Sequence, residues 1–392
     1  MHAEASDDRI AFLARIAPLF ALAYGLFWLL HLEIGQSIPR DGTTLVVGRD
    51  FLNFWMAGRL AWDPDPQRFY DLATYQAEVA KVTGPGYLGQ VWSYPPSIML
   101  LAALFGLMPY LPALILWSII GPAILYFALR NWIPDRRMLI AIVLCPAAVF
   151  GLISGQFAFI ATALILTVLR WRHARPWAAG VLLGLLTLKP QLGLLFPIML
   201  IACRDWRVIA GAAVSALAIA SATAVIWGPE VWTAYLTQGV ATQSLVLTDP
   251  EVLAGPFMPT VLMNLRGAGV SVDAASIVQS VASLFAAGLI FWRFWRRPPA
   301  DDWNANAIFL AAALFGTPYL LSYDTLPLTA AVLLTLPMGN VGRWLTFAVW
   351  ALPLLQLFFG NAGIPGPALI PLAAALYLLK HPANSTCVDH RN

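Results

Sequence analysis

Apolar segments follow one another along almost the whole of this chain. A first run covers residues 10–32. Others lie near 97–109, 111–130, 138–153, 157–170, 177–203, 207–227, 271–292, 304–321, 324–338, 344–360 and 367–380. Of the 392 residues, 60% are hydrophobic and 11% charged, against about 25% charged in soluble domains. A soluble core cannot absorb that much apolar surface, so the pattern predicts an all-α polytopic membrane protein. The expectation is a bundle of about 11–13 transmembrane helices forming one domain over residues 1–392. The net charge of +3 is too small to indicate a nucleic-acid partner.

Two stretches break the apolar pattern. Residues 33–94 form a long polar loop, in which 51–62 and 72–82 read as short amphipathic helices separated by the turn Asp63-Pro64-Asp65-Pro66. Such helices favour a membrane interface. A second loop runs over 228–270. No small-residue cleavage site follows the first apolar run, which reads as a retained signal-anchor. Arginines gather at 130–137, 170–175, 204–207, 293–297 and 343, and the tail is basic from Lys380. The positive-inside rule puts these in the cytoplasm and loops 33–94, 228–270 and 361–366 outside. One conflict arises. If 97–109 and 111–130 both cross, Arg130–Arg137 falls on the external side; a short or re-entrant 97–109 removes it.

Charged and polar residues inside such a chain are costly to dehydrate, and they mark the candidate chemistry. Asp50, in Gly48-Arg49-Asp50-Phe51, reads either as the N-cap of a helix paired with Arg49 or as a general base at the mouth of a cavity. Trp92-Ser93-Tyr94-Pro95-Pro96 reads as an aromatic belt with a helix start, or as a rigid wall facing Asp50. In Leu188-Lys189-Pro190-Gln191, proline breaks an apolar segment beside a lysine. That cation snorkels to the surface or faces a polar cavity and attracts an anion. Gly155-Gln156 and Ser322-Tyr323-Asp324 are two further interruptions, readable as tight turns; on this topology they open toward the side of Asp50. Phosphate-loop, His-Glu-x-x-His, Cys-x-x-Cys and G-x-S-x-G patterns are absent from the sequence. Cys145, Cys203 and Cys387 fit no metal site. The histidines are scattered, with His2 and His390 in the tails, so no metal or other cofactor is expected.

Taken in order, several fragments resemble glycosyltransferase family 87. They are Gly48-Arg49-Asp50-Phe51, Phe54-Trp55-Met56-Ala57-Gly58-Arg59, Phe69-Tyr70-Asp71, Trp92-Ser93-Tyr94-Pro95-Pro96, Leu107-Met108-Pro109-Tyr110, Gly155-Gln156 and Leu188-Lys189-Pro190-Gln191. The resemblance is strong over residues 20–210 and weak in the C-terminal half. Members are integral-membrane enzymes of the GT-C type, related to polyprenol-phosphate-mannose-dependent mannosyltransferases. The resemblance implies a sugar, mannose or another hexose or pentose, carried on a polyprenyl phosphate. It implies transfer to a lipid or glycan acceptor on the external side of a bacterial cytoplasmic membrane. It also implies inversion at the anomeric carbon and a catalytic aspartate in the first external loop, the position of Asp50. A developing phosphate anion needs a cation or hydrogen-bond donors. Lys189 suits that task, with Tyr94, Gln191 and Tyr323 as further donors and Arg49, Gln156 and Asp324 as further substrate-binding positions. The alternative is a secondary transporter or lipid flippase, since broken helices with buried charges serve transport as well.

Overall fold

The computed structural model describes residues 2–35, 38–43, 45–84, 87, 90–133, 135–248, 255–335 and 339–382. Cys387 and His390 lie outside them. The regular elements of the described residues are all helices, with no named strand; extended backbone pairs only at the bridges Glu33–Arg40 and Arg40–Val46. The chain is an all-α polytopic membrane protein. Among the described residues four helices are long and apolar enough to cross a bilayer singly: Asp8–Leu30 within α1 (His2–Leu30), α5 (Tyr110–Leu129), Trp206–Trp227 and Val272–Phe294. Two bent pairs raise the number to six, Arg136–Val143 with Pro146–Ile153 at 48° and Gly339–Trp350 with Leu352–Asn361 at 71°. Proline starts the second helix of each pair at its first or second position, where its missing N–H removes no intrahelical bond.

Beside these four to six candidate spans, the described residues hold six shorter apolar helices of 10–17 residues. Hydropathy counts apolar residues and is blind to where the backbone breaks. Pro176–Leu188 and Pro190–Cys203 are one apolar run in sequence, yet Lys189 divides it and each half is too short to cross alone. Pro96–Gly106 is likewise short. Its eleven residues, a 3₁₀ turn followed by α4 (Met99–Gly106), reach about 16 Å at 1.5 Å per residue. Tyr110 at the start of α5 meets Val47 of loop 33–94, so that loop and Arg130 lie toward opposite ends of α5, the arrangement a short 97–109 was expected to give.

Loop 33–94 holds α2 (Phe51–Leu60) and α3 (Leu72–Thr83), close to their expected bounds. Only α3 is amphipathic, burying Tyr75, Val79 and Thr83 on one stripe. The expectation of an interfacial α2 is corrected: every residue from Phe51 to Gly58 is buried. The reason is a close crossing with α4. A Cβ on Gly58 would stand 2.0 Å from the Ala102 carbonyl oxygen, and one on Gly106 would stand 2.1 Å from the Gly58 carbonyl carbon. Two glycines thus let the backbones touch, as small residues do between membrane helices. At Asp63 the expected turn forms, with the Asp65 N–H donating to its Oδ1.

Stretch 228–270 is also corrected from loop to mostly helix. It contains Glu230–Ala234, a π turn at Tyr235–Gly239, Val240–Thr248 and Val261–Gly267, with 249–254 outside the described residues. Thr260 caps the last of these by accepting from the Met263 N–H at 3.2 Å. Polar residues such as Thr233, Thr237, Gln238, Gln243 and Ser244 interrupt the apolar ones here, so these helices do not register in a search for membrane-length apolar runs.

Candidate functional site

Asp50 sits at the start of α2, on a loop locked against the turn after helix Pro146–Ile153. The Phe51 N–H donates to the Gly48 carbonyl at 2.7 Å and to the Ser154 carbonyl at 3.2 Å. From α5, the Tyr110 hydroxyl donates to the Val47 carbonyl at 2.5 Å, and the Trp117 indole to the Gly155 carbonyl at 2.9 Å. Gly155 has φ +59°, and a Cβ on it would stand 2.4 Å from the Phe51 Cβ, so both its conformation and its contact require glycine. Arg49 adopts φ +40°, uncommon for a residue with a side chain. The two sides of this interlocked pair carry Asp50 and Gln156.

The Asp50 side chain makes no capping bond to α2. It points away, and two donors meet on one of its oxygens. Gln156 Nε2 donates to Oδ2 at 2.9 Å, and the Tyr323 hydroxyl donates to the same atom at 3.0 Å. Gln156 Nε2 also donates to the Tyr94 hydroxyl oxygen at 3.3 Å. Among the described residues no donor reaches Oδ1. Asp50 is half-buried and borders a cleft of about 310 Å³, counting its open mouth, together with Tyr94, Gln156 and the rings of Phe54, Trp92, Trp117 and Phe157. Burial pushes its carboxyl above the usual carboxylate range. The hydrogen bonds from Gln156 and Tyr323, then the charges of Lys189 and Arg49, act in the opposite direction. The result is a carboxylate more basic than one in water, at the edge of the cleft, with one oxygen held by two donors.

A pH prediction follows from the Tyr323 bond. That bond favours the charged carboxylate, so Tyr323→Phe raises the Asp50 pKa further. A base works when deprotonated, so the acidic limb of the kcat/KM profile is expected to move to higher pH. An unmoved limb in this variant would mean that Asp50 does not govern the profile.

The other expected site residues fall into two groups. Lys189 and Asp324 form a buried ion pair, Nζ to Oδ1 at 2.5 Å, with 2% and 1% of their surfaces exposed. Asp324 Oδ2 accepts from the Leu321 N–H at 3.1 Å, and Lys189 Nζ stands 4.8 Å from the centre of the Tyr323 ring. The lysine thus braces Tyr323 from behind and does not border the cleft. Gln191, partly exposed in the 3₁₀ turn Pro190–Gly193, does not border it either. Arg49 pairs with Asp41, Nε to Oδ2 at 2.8 Å, and lies over the Trp28 ring at 4.5 Å. Its charge is therefore balanced elsewhere than at Asp50. The sequence reading missed Asp41 and Trp117. A polar residue in a polar loop and an aromatic in an apolar helix carry no signal by themselves. Among the described residues no group of three or more His, Cys, Asp or Glu side chains is placed to hold a metal ion.

A polytopic all-α bundle whose short, broken helices converge on one carboxylate at an aromatic cleft defines the class as a membrane protein with a built polar site. Residues 92–322 match Glycosyltransferase family 87, and the chain belongs to that family; it is a membrane glycosyltransferase. No curated protein and no solved structure matches the chain. The matched stretch starts later and ends later than the 20–210 resemblance. It includes Tyr94, Gln156, Lys189 and Gln191, and leaves out Arg49, Asp50, Tyr323 and Asp324.

Proposed function

We propose that the protein transfers a sugar, mannose or another hexose or pentose, from a polyprenyl-phosphate donor to a hydroxyl of a lipid or glycan acceptor. Transfer takes place on the external side of a bacterial cytoplasmic membrane and inverts the anomeric carbon, with Asp50 as general base. One observation carries this reading: Asp50 borders the aromatic cleft with its Oδ2 fixed by two donors, while among the described residues no donor engages Oδ1. An acceptor hydroxyl bound there can give its proton to Oδ1 as its oxygen attacks the sugar. The bond to the leaving phosphate breaks in the same step, and its electron pair goes to a phosphate oxygen. Because phosphate departs as an anion, it needs no acid to protonate it, unlike a glycoside oxygen. A single available carboxylate suits that chemistry, since Asp324 is occupied by Lys189. The aromatic walls suit a sugar ring and the first carbons of a lipid.

The test is transfer by purified protein in detergent, offered radiolabelled polyprenyl-phosphate mannose and a membrane lipid extract as acceptor. Labelled product is expected. Detergent micelles hold no second compartment, so a transporter or flippase would give none. Product from a nucleotide sugar and none from a panel of polyprenyl-phosphate sugars would overturn the donor assignment.

A further inference from the structure

We infer that Tyr94 is the catalytic residue that hydrogen-bonds the leaving phosphate; the inference rests on the reading of Asp50 as base. The polarity of the hydrogen bonds leads to it. An ionised carboxylate only accepts, so the Gln156 amide must turn its nitrogen toward Asp50. That same nitrogen lies 3.3 Å from the Tyr94 hydroxyl. An amide nitrogen does not accept, so the Tyr94 oxygen is the acceptor and its own hydrogen points elsewhere. Among the described residues nothing accepts that hydrogen, and the Tyr94 ring borders the cleft.

The neighbouring donors are engaged. The Tyr323 hydroxyl gives its hydrogen to Asp50, the two Gln156 amide hydrogens serve Asp50 and Tyr94, and Lys189 is buried against Asp324. The Tyr94 backbone is held on both sides, by Pro95-Pro96 after it and by the Tyr70 hydroxyl, which donates to its carbonyl at 2.9 Å. Spacing permits the role. Asp50 Oδ2 and the Tyr94 oxygen share one nitrogen, so they stand at most about 6 Å apart, and Oδ1, the other oxygen of that carboxylate, lies within about 8 Å of the Tyr94 oxygen. In a direct displacement the attacking oxygen waits about 3–3.5 Å from the anomeric carbon, with the leaving oxygen one bond beyond, about 5 Å in all. One wall of the cleft therefore carries the base at the entering oxygen and a donor at the departing one. The step stays balanced: the acceptor proton goes to Asp50 Oδ1, the C–O electron pair goes to the phosphate, and Tyr94 donates a hydrogen bond without losing its proton.

The test compares wild type with Tyr94→Phe, in detergent, using a short polyprenyl-phosphate sugar as donor and the matching polyprenyl phosphate as product inhibitor. The expected result is a kcat lower by about 10–100-fold. Product inhibition is expected to be weaker by about tenfold, with the acceptor KM within about twofold of wild type. An acceptor KM that rises while product inhibition is unchanged would place Tyr94 on the acceptor side and overturn the inference, as would an unchanged kcat. If Tyr94→Phe does not fold, 3-fluorotyrosine at position 94 replaces it. Its more acidic hydroxyl should tighten polyprenyl-phosphate binding, and unchanged binding counts against the role. Asp50→Asn, run in parallel, separates the two claims. An inactive Asp50→Asn beside an unaffected Tyr94→Phe removes this inference alone, and an active Asp50→Asn removes the base.

Discussion

Asp50→Asn is expected to lower sugar transfer by about 10²–10⁴-fold while leaving the protein folded and in the membrane. The magnitude is that of a general base removed from a reacting hydroxyl. The fold should survive because little that positions this loop runs through the carboxylate. The Phe51 N–H bonds to Gly48 and Ser154, and the Tyr110 and Trp117 bonds to the loops on either side, all remain. Asparagine matches aspartate in shape, and its amide oxygen can still accept from Gln156 and Tyr323. It cannot take a proton, so loss of activity without loss of fold isolates the base. Initial rates with a labelled polyprenyl-phosphate sugar, beside the gel-filtration profile and unfolding temperature of each variant, provide the measurement. Asp50→Asn retaining more than about a tenth of wild-type activity would be incompatible with the assignment.

Lys189→Met is expected to act first on stability. Its partner Asp324 is 1% exposed, and removing the lysine leaves a buried carboxylate without its counter-charge. Breaking a buried pair from one side costs about 3–5 kcal/mol. The double variant Lys189→Met with Asp324→Leu should recover much of that, because it removes both charges together. Activity in the double variant then reports the pair's contribution through Tyr323, whose ring lies 4.8 Å from Lys189 Nζ. The opposing expectation, from a lysine that binds donor phosphate directly, is a single variant of normal stability with weakened donor binding. Unfolding temperatures of the two variants in one detergent separate these outcomes.

Much of the site was legible as interruptions. A charge or amide inside an apolar run is costly, so Gln156, Lys189 and Tyr323-Asp324 stand out against their surroundings, whereas Asp50, in a polar loop, stands out only through the fragment Gly48-Arg49-Asp50-Phe51. Their partnerships were not legible. Gln156 and Tyr323 lie 106 and 273 positions from the carboxylate they share. Apolar periodicity shows that a helix is buried and is silent on which helix lies beside it. Lys189 shows the difficulty most clearly. Its cost in an apolar segment was evident, and the answer to that cost, Asp324, lies 135 residues away. Arg49 and Asp50 are adjacent and opposite in charge, yet the left-handed turn at Arg49 sends its guanidinium to Asp41. The membrane class was legible because composition alone determines it. The breaks within the apolar runs were not, because a helix break at a proline or a lysine leaves hydropathy almost unchanged. The burial of α2 depends on Gly58 meeting Gly106, a contact between two glycines 48 positions apart that no local pattern marks.

The most direct measurement of the central claim is the anomeric configuration of the product. Purified enzyme would convert a donor of one defined anomer in a single turnover, with the one-bond carbon–hydrogen coupling at the transferred anomeric centre read by NMR. Asp50 acting as a base on the acceptor hydroxyl predicts one displacement and a product of inverted configuration. A product of retained configuration would mean two displacements through a sugar bound covalently to the enzyme, and would contradict the account.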